Sequence, residues 1–220
     1  MKLVGLVCGG IMDWASIGEV VKVVGSVATA GAAWFGASIA YRGLNKWRDE
    51  TVGKRKTELA EQALTGVYEA RDVFVWTRGR GIFGGEGGSR TPASGESETQ
   101  QERRNTYFIP IERLTHEKEL FARLHSLRYA FVAHFGDASI EPFKEIMDVH
   151  NSIITSASVL IEMIHDDGDT GASFRNSAES LLNTIGWGPA ARPDDIDRRI
   201  NKAIHDLEEF CRPVLAISSK

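Results

Sequence analysis

Residues 23–41, VVGSVATAGAAWFGASIAY, decide the fold, because they form 19 consecutive positions without a charge or a proline. As an α-helix with about 1.5 Å of rise per residue, this run is roughly 28 Å long, close to the thickness of a membrane's hydrocarbon layer. We therefore predict a transmembrane helix over 23–41, preceded by an N-terminal segment over 1–22. The run is too long to be the apolar core of a signal peptide. The alternative is an alanine- and glycine-rich helix buried in a soluble bundle.

Small side chains recur every four residues along this run. They are Gly25, Thr29, Ala33 and Ala37 on one face, and Ala28, Ala32, Gly36 and Ala40 on a neighbouring face. Small residues at this spacing allow two helix backbones to approach closely in lipid, where van der Waals packing drives their association. We therefore predict the lipid bilayer as one partner, and self-association or a membrane-protein partner on the small-residue face.

The charges that flank the run predict its orientation. The six basic residues that follow it are Arg42, Lys46, Arg48, Lys54, Arg55 and Lys56. Only Asp49 and Glu50 oppose them within 42–56. Because cytoplasmic flanks carry the excess of Lys and Arg, we predict a single-pass inner-membrane protein with its N-terminus outside and its C-terminal body in the cytoplasm. Met12 offers a second possible start of translation, after the short apolar stretch MKLVGLVCGGI.

Charge and cysteine content exclude several classes of protein. Residues 57–220 contain 18 basic and 26 acidic groups, a poor match to a nucleic-acid backbone, so we predict no nucleic-acid partner. The two cysteines, Cys8 and Cys211, lie at opposite ends of the 220-residue chain. They form neither a disulfide framework nor a zinc cluster, which suits a reducing compartment.

Helical periodicity predicts an all-α body of four or five antiparallel helices after the transmembrane helix. Residues 42–77 read as a juxtamembrane and first bundle helix, with Ala60, Ala63, Val67, Ala70 and Phe74 on one face. Residues 78–106 are rich in Gly, Ser and Glu and predict a flexible loop. Residues 107–220 supply the remaining helices, and no stretch alternates with the period of a β-strand.

Three long apolar faces define the helices within 107–220, together with a shorter one that consists of Phe174, Ala178, Leu181 and Ile185. Pro110 is predicted to open a helix that ends at Gly136, and Glu141 with Pro142 to open the next. The three faces are Leu120, Leu124, Leu127, Phe131 and Phe135; Phe143, Met147, His150, Ile154, Ala157, Ile161 and Ile164; and Ile196, Ile200, Ala203, Leu207, Phe210 and Val214. The first two are predicted to form an antiparallel hairpin. Asp194 or Asp195 is predicted to cap the last helix.

No set of residues converges on a recognisable chemistry, so we predict no enzyme activity, no cofactor and no metal site. Gly79, Gly81 and Gly84 spell G-x-G-x-x-G, but that fingerprint needs a preceding strand and a following helix. Glu162 and His165 form one E-x-x-H, whereas di-iron bundles use two such motifs. Cys211 is interpreted as a buried thiol.

A polar cluster beside the apolar faces is the candidate site. It consists of Glu69, Arg71 and Asp72 in the segment YEARD, and of Arg128 and Tyr129 in LRYAF. A charge beside a buried face needs a partner. We predict an ion pair between Arg128 and the YEARD segment, centred on Glu69, that fixes the register of two helices. The alternative is that the same residues line a binding pocket.

The layout resembles an uncharacterised family of short bacterial membrane-anchored proteins. The residues that carry the resemblance are the small-residue span, Lys46–Trp47, ELAEQAL at 58–64, YEARD, the Gly-rich loop, LRYAF, and CRP at 211–213. The resemblance implies a bacterial source and this architecture, and no reaction. We therefore predict a membrane-anchored scaffold, sensor or interaction module. The alternative is an accessory subunit of a larger membrane assembly, such as a transport or defence complex.

Overall fold

The computed structural model describes residues 14–164 and 172–218, and all regular elements in these ranges are helical. The helices are α1 (Trp14–Thr77), α2 (Glu98–His116), α3 (Lys118–Phe135), α4 (Glu141–Glu162), α5 (Ala172–Thr184) and α6 (Asp195–Ser218). A 3₁₀ turn, Asp137–Ile140, precedes α4. The predicted all-α class is therefore confirmed.

The chain divides into two units, and the boundary between Val52 and Gly53 lies within α1. In the first unit, residues 23–41 are part of α1. The described residues include no helix that combines the length and the mean hydropathy of a membrane span. The structure thus gives the predicted transmembrane helix no support, and the membrane location stays a prediction.

The second unit has one apolar core, to which all six helices contribute. From α1 it receives Ala60, Ala63, Val67, Ala70 and Phe74, all of which are fully buried as predicted. Close helix approach is visible at Gly66, where an added Cβ would lie 2.7 Å from Cδ2 of the buried Leu124. An alanine at this crossing of α1 and α3 would therefore require the end of the Leu124 side chain to shift.

The core face of α4 differs from the predicted face by about one residue. Ile146, Val149, Ile153 and Leu160 are buried, whereas the predicted Met147, His150, Ile154 and Ile161 are half-buried. Apolar residues occupy both sets of positions, so periodicity alone left the rotation of this helix undetermined. Phe143 and Ala157 belong both to the predicted face and to the observed core.

The start of α2 corrects the prediction that Pro110 opens a helix. Pro110 lies buried inside α2, which begins twelve residues earlier at Glu98. Ser97 caps this helix, because its side chain accepts from the Gln100 backbone N–H while the Gln100 side chain accepts from the Ser97 N–H. The S-x-x-Q pattern is a helix-start signal, which the surrounding polar sequence obscured. Part of the predicted loop over 78–106 is therefore helical.

Candidate functional site

The predicted polar cluster separates into independent pairs. Glu69 on α1 pairs with Arg123 on α3, and not with Arg128. Arg128 instead donates to the Tyr129 hydroxyl at 2.7 Å and lies 3.1 Å from Nε2 of His125 on its own helix. The predicted Glu69–Arg128 pair is therefore wrong. Arg123 and Arg128 are five residues apart, which places them about 140° apart around the helix.

Arg71 and Asp72 form a local, exposed contact rather than part of a shared pocket. The Arg71 guanidinium lies 3.2 Å from the Asp72 carboxylate and 5.2 Å from the centre of the Tyr68 ring. Exposed pairs of this kind contribute little to stability. The five predicted site residues therefore do not converge on one ligand position.

Tyr68 makes an interhelical contact that the sequence did not reveal. Its hydroxyl donates to the Glu208 carboxylate on α6. This hydrogen bond lowers the pKa of Glu208, and the same bond together with burial raises the pKa of Tyr68. Arg212 lies 3.4 Å from the other oxygen of Glu208. The contact joins the first and last helices of the second unit.

Arg113 on α2 is buried against the C-terminal end of α1. Its guanidinium donates to the carbonyls of Trp76 at 2.9 Å, Gly79 at 3.1 Å and Gly81 at 2.5 Å. It also forms two hydrogen bonds of 2.8 and 2.6 Å with Glu86, and these lower the pKa of that carboxyl. The last carbonyls of a helix lack helical partners and favour a nearby cation, so Arg113 stabilises this end of α1 through the Trp76 carbonyl, which also accepts from the Gly79 N–H.

Arg78, one residue beyond α1, is also fully buried and connects α5 to α6. It donates to the carbonyls of Asn183 and Thr184 at the end of α5, at 3.0 and 2.9 Å. It also pairs with Asp194 at 2.5 Å and Asp197 at 2.7 Å at the start of α6. Asp194 caps that helix, since its carboxylate accepts from the Asp197 N–H at 3.1 Å. One cation thus joins one helix end to the next helix start.

The Gly-rich loop is arranged unlike a phosphate-binding loop. Its Gly79 and Gly81 carbonyls point at the Arg113 cation, whereas a phosphate loop presents N–H groups to an anion. Within 14–164 and 172–218 no strand precedes it. The loop is instead tied to α2, with the Gly87 N–H donating to Glu112 at 2.5 Å. The G-x-G-x-x-G pattern therefore reads as structural.

The groups that were considered for metal binding or catalysis remain apart. No three potential metal ligands cluster in the part of the chain that the structure describes. His165, the second member of the E-x-x-H, lies outside the described residues. Cys211 is fully buried, as predicted, and burial raises the pKa of its thiol to about 12. His150 packs against Phe121 with 4.3 Å between the centres of the tilted rings, and burial lowers the pKa of His150.

A polar cleft lies between α4, α5 and α6 and has a volume of about 1090 Å³. Hydroxyls and amides dominate its walls, including Asn151 and Ser156 on α4 and Asn176 and Ser180 on α5. Sequence reasoning missed this cleft, because each of these residues reads as part of a solvated helix face. It is the candidate site for a small ligand.

Comparison with known proteins yields no relative. No family model, no curated protein and no solved structure matches the chain. The resemblance to a membrane-anchored bacterial family therefore stays a prediction.

Proposed function

We propose that the protein is a non-catalytic helical interaction module, attached to a membrane through residues 23–41 of α1. The observation that carries the proposal is the exposure of large apolar side chains around α1, within this run and over the six residues that follow it. Trp34 and Phe35 are 75% and 64% exposed, and Trp47 is 66% exposed. At about 100° per residue, Phe35, Trp47 and Leu44 lie roughly 100°, 220° and 280° around the helix from Trp34.

This distribution favours an environment that surrounds the helix. A helix that meets a single protein partner shows one apolar stripe, whereas a helix that is apolar all round is buried on all sides. Contiguous exposed apolar surface also marks interaction sites in general. A lipid bilayer surrounds such a helix on all sides, whereas several partner chains would be needed to cover it with protein.

The mean hydropathy of α1 is lower than that of a typical transmembrane helix, which weighs against the proposal. The amino-acid composition of residues 23–41 explains this low value. The run contains only three aliphatic hydroxyl side chains, Ser26, Thr29 and Ser38, alongside many Ala and Gly residues. Each hydroxyl donates to the backbone carbonyl four residues earlier, at 2.7, 2.8 and 2.9 Å. Such bonds satisfy the donor inside the helix, so these residues cost less in lipid than their hydropathy suggests.

The experiment is alkaline extraction of membranes from bacterial cells that express the full chain, with protease treatment of inside-out vesicles. Retention in the pellet, with digestion of the second unit, supports the anchor and the proposed cytoplasmic location. Ala33→Arg, within the run, should release the protein, whereas Val52→Arg, beyond the run, should not. Release of the unaltered chain by alkali would overturn the membrane attachment. It would favour the accessory-subunit alternative, in which other protein chains cover α1.

A further inference from the structure

The cleft between α4, α5 and α6 contains a polar group without a partner. Ser156 lines the cleft on α4 and is only 7% exposed. The structure gives its hydroxyl no hydrogen-bond partner among the described residues. The hydroxyl oxygen keeps access to the cleft, where a ligand group can form a hydrogen bond with it. This group faces the cavity rather than another helix.

The cations in the walls of the cleft are already engaged. Arg199 pairs with Glu145 at 2.5 Å. Arg198 lies 3.4 Å from Asp195 and donates to the Pro193 carbonyl at 3.3 Å. These arginines are therefore poorly placed to receive an anionic ligand.

Two carboxylates that line the cleft from different helices have no cationic partner in the ranges that the structure describes. They are Asp148 on α4 and Glu179 on α5, and both belong to exposed residues that line the cleft. The other acids of the lining differ, since Asp194 pairs with Arg78 and Asp195 with Arg198. The cleft thus has an excess of negative charge from two separate helices.

The chemistry of the remaining lining matches an alkyl ammonium. Hydroxyl and amide oxygens, such as those of Thr155 and Asn176, accept hydrogen bonds, and an ammonium group donates three. Leu181 and Ile196 add apolar surface on which methylene groups pack. A neutral or anionic ligand would leave both free carboxylates unneutralised.

We propose that this cleft binds a small aliphatic polyamine, with ammonium groups on Asp148 and Glu179 and a hydrogen bond to Ser156. Binding would occur within the second unit and does not depend on membrane attachment. The proposal therefore goes beyond the interaction role, because it adds a small-molecule ligand that the second unit binds.

The test is isothermal titration calorimetry of the full-length chain with spermidine, at about 0.15 M salt to screen diffuse attraction. We expect saturable binding, and a weakening of about 1.5- to 5-fold for Asp148→Asn and for Glu179→Gln, as loss of an open-site ion pair predicts. The matched control is Glu119→Gln, an exposed acid on α3 outside the cleft. It should bind spermidine like the unaltered chain.

Three outcomes would overturn the proposal. The first is an absence of saturable heat with the unaltered chain. The second is equal weakening by Glu119→Gln, which would show diffuse counterion attraction. The third is unchanged affinity in Asp148→Asn and Glu179→Gln, provided that their circular dichroism spectra match that of the unaltered chain. Both acids are exposed, so neither variant should affect folding.

Discussion

Arg78 and Asp194 form a buried ion pair, with 2.5 Å between Nη2 and Oδ2, at the junction of α1, α5 and α6. The two residues are 116 positions apart in the chain. Arg78 is 1% exposed, and it makes three further hydrogen bonds, to Asp197 and to two α5 carbonyls. Burial of a charge is tolerated only when such partners are present.

Arg78→Ala should therefore lower the free energy of unfolding by about 3–5 kcal/mol, because it leaves Asp194 buried and without its cation. Urea denaturation followed by circular dichroism measures the change. Arg198→Ala removes an arginine from an exposed pair with Asp195 and should cost no more than about 1 kcal/mol. Equal losses in the two variants would show that the Arg78 network contributes no more than a surface contact.

The lowered pKa of Glu96 predicts how the free energy of unfolding changes at acidic pH. Hydrogen bonds from Arg90 and then Arg104 lower the pKa of Glu96 from 4.5 to about 2. Because the folded carboxyl binds a proton less readily than the unfolded one, its ion pairs stabilise the protein above the unfolded pKa. That contribution is lost as the pH falls from about 4.5 to about 2.

Urea denaturation at a series of pH values tests this effect with Glu96→Gln. The unaltered chain should be more stable than the variant near neutral pH, and the difference should shrink as the pH falls towards 2. Glu102→Gln, at an exposed position on α2, the helix that follows Glu96, controls for the loss of a negative charge. A difference that stays constant with pH would contradict the assigned ion pairs.

The sequence predicted the elements whose apolar residues fall on a single face. The face of α1 from Ala60 to Phe74 was confirmed residue by residue. On α4, apolar residues cover more than one face, and the predicted core positions were displaced by about one residue. Periodicity therefore locates a helix more reliably than it fixes its rotation.

Polar partners were harder to predict, because they depend on tertiary contacts. The cluster from Glu69 to Tyr129 named a correct pair of helices, α1 and α3, but the wrong arginine. Arg78 and Arg113 lie in or against a Gly-rich polar stretch that reads as solvated loop. Nothing local in the sequence distinguishes these buried arginines from exposed ones, since their partners come from distant segments.

The Glu69–Arg123 contact is testable by double-mutant cycles. Both side chains are about half exposed, so we expect a coupling energy of about 0.2–1 kcal/mol between Glu69→Ala and Arg123→Ala. The control cycle pairs Glu69→Ala with Arg128→Ala, which should be additive. Coupling in the second cycle and not in the first would restore the pairing that the sequence suggested.

Two glycines of the Gly-rich loop provide a matched pair. Gly85 and Gly87 have φ angles of 92° and 80°, a region that L-residues rarely adopt. At Gly85 an added Cβ meets nothing within 4 Å, whereas at Gly87 it would lie 2.2 Å from the Asn105 carbonyl oxygen. Gly85→Ala should lower the free energy of unfolding by about 1–2 kcal/mol, because alanine is strained at this positive φ angle.

Gly87→Ala should cost a further 1–3 kcal/mol or so, because the loop must move away from α2. Thermal or urea unfolding of both variants measures the difference. Equal destabilisation would mean that the loop shifts freely relative to Asn105, in conflict with the hydrogen bond from Gly87 to Glu112.

The rate at which the Cys211 thiol is modified measures how readily α6 opens. Its thiol is fully buried, 3.8 Å from the Ala60 carbonyl, and its pKa of about 12 leaves a thiolate fraction on the order of 10⁻⁴ at pH 8. Iodoacetamide should therefore leave Cys211 unmodified in the folded protein and modify it rapidly in urea, as measured by peptide-resolved mass spectrometry. Tyr68→Phe removes the bond between α1 and Glu208. If that bond restrains α6, the variant should speed native-state modification, whereas an unchanged rate would assign the protection of Cys211 to apolar packing.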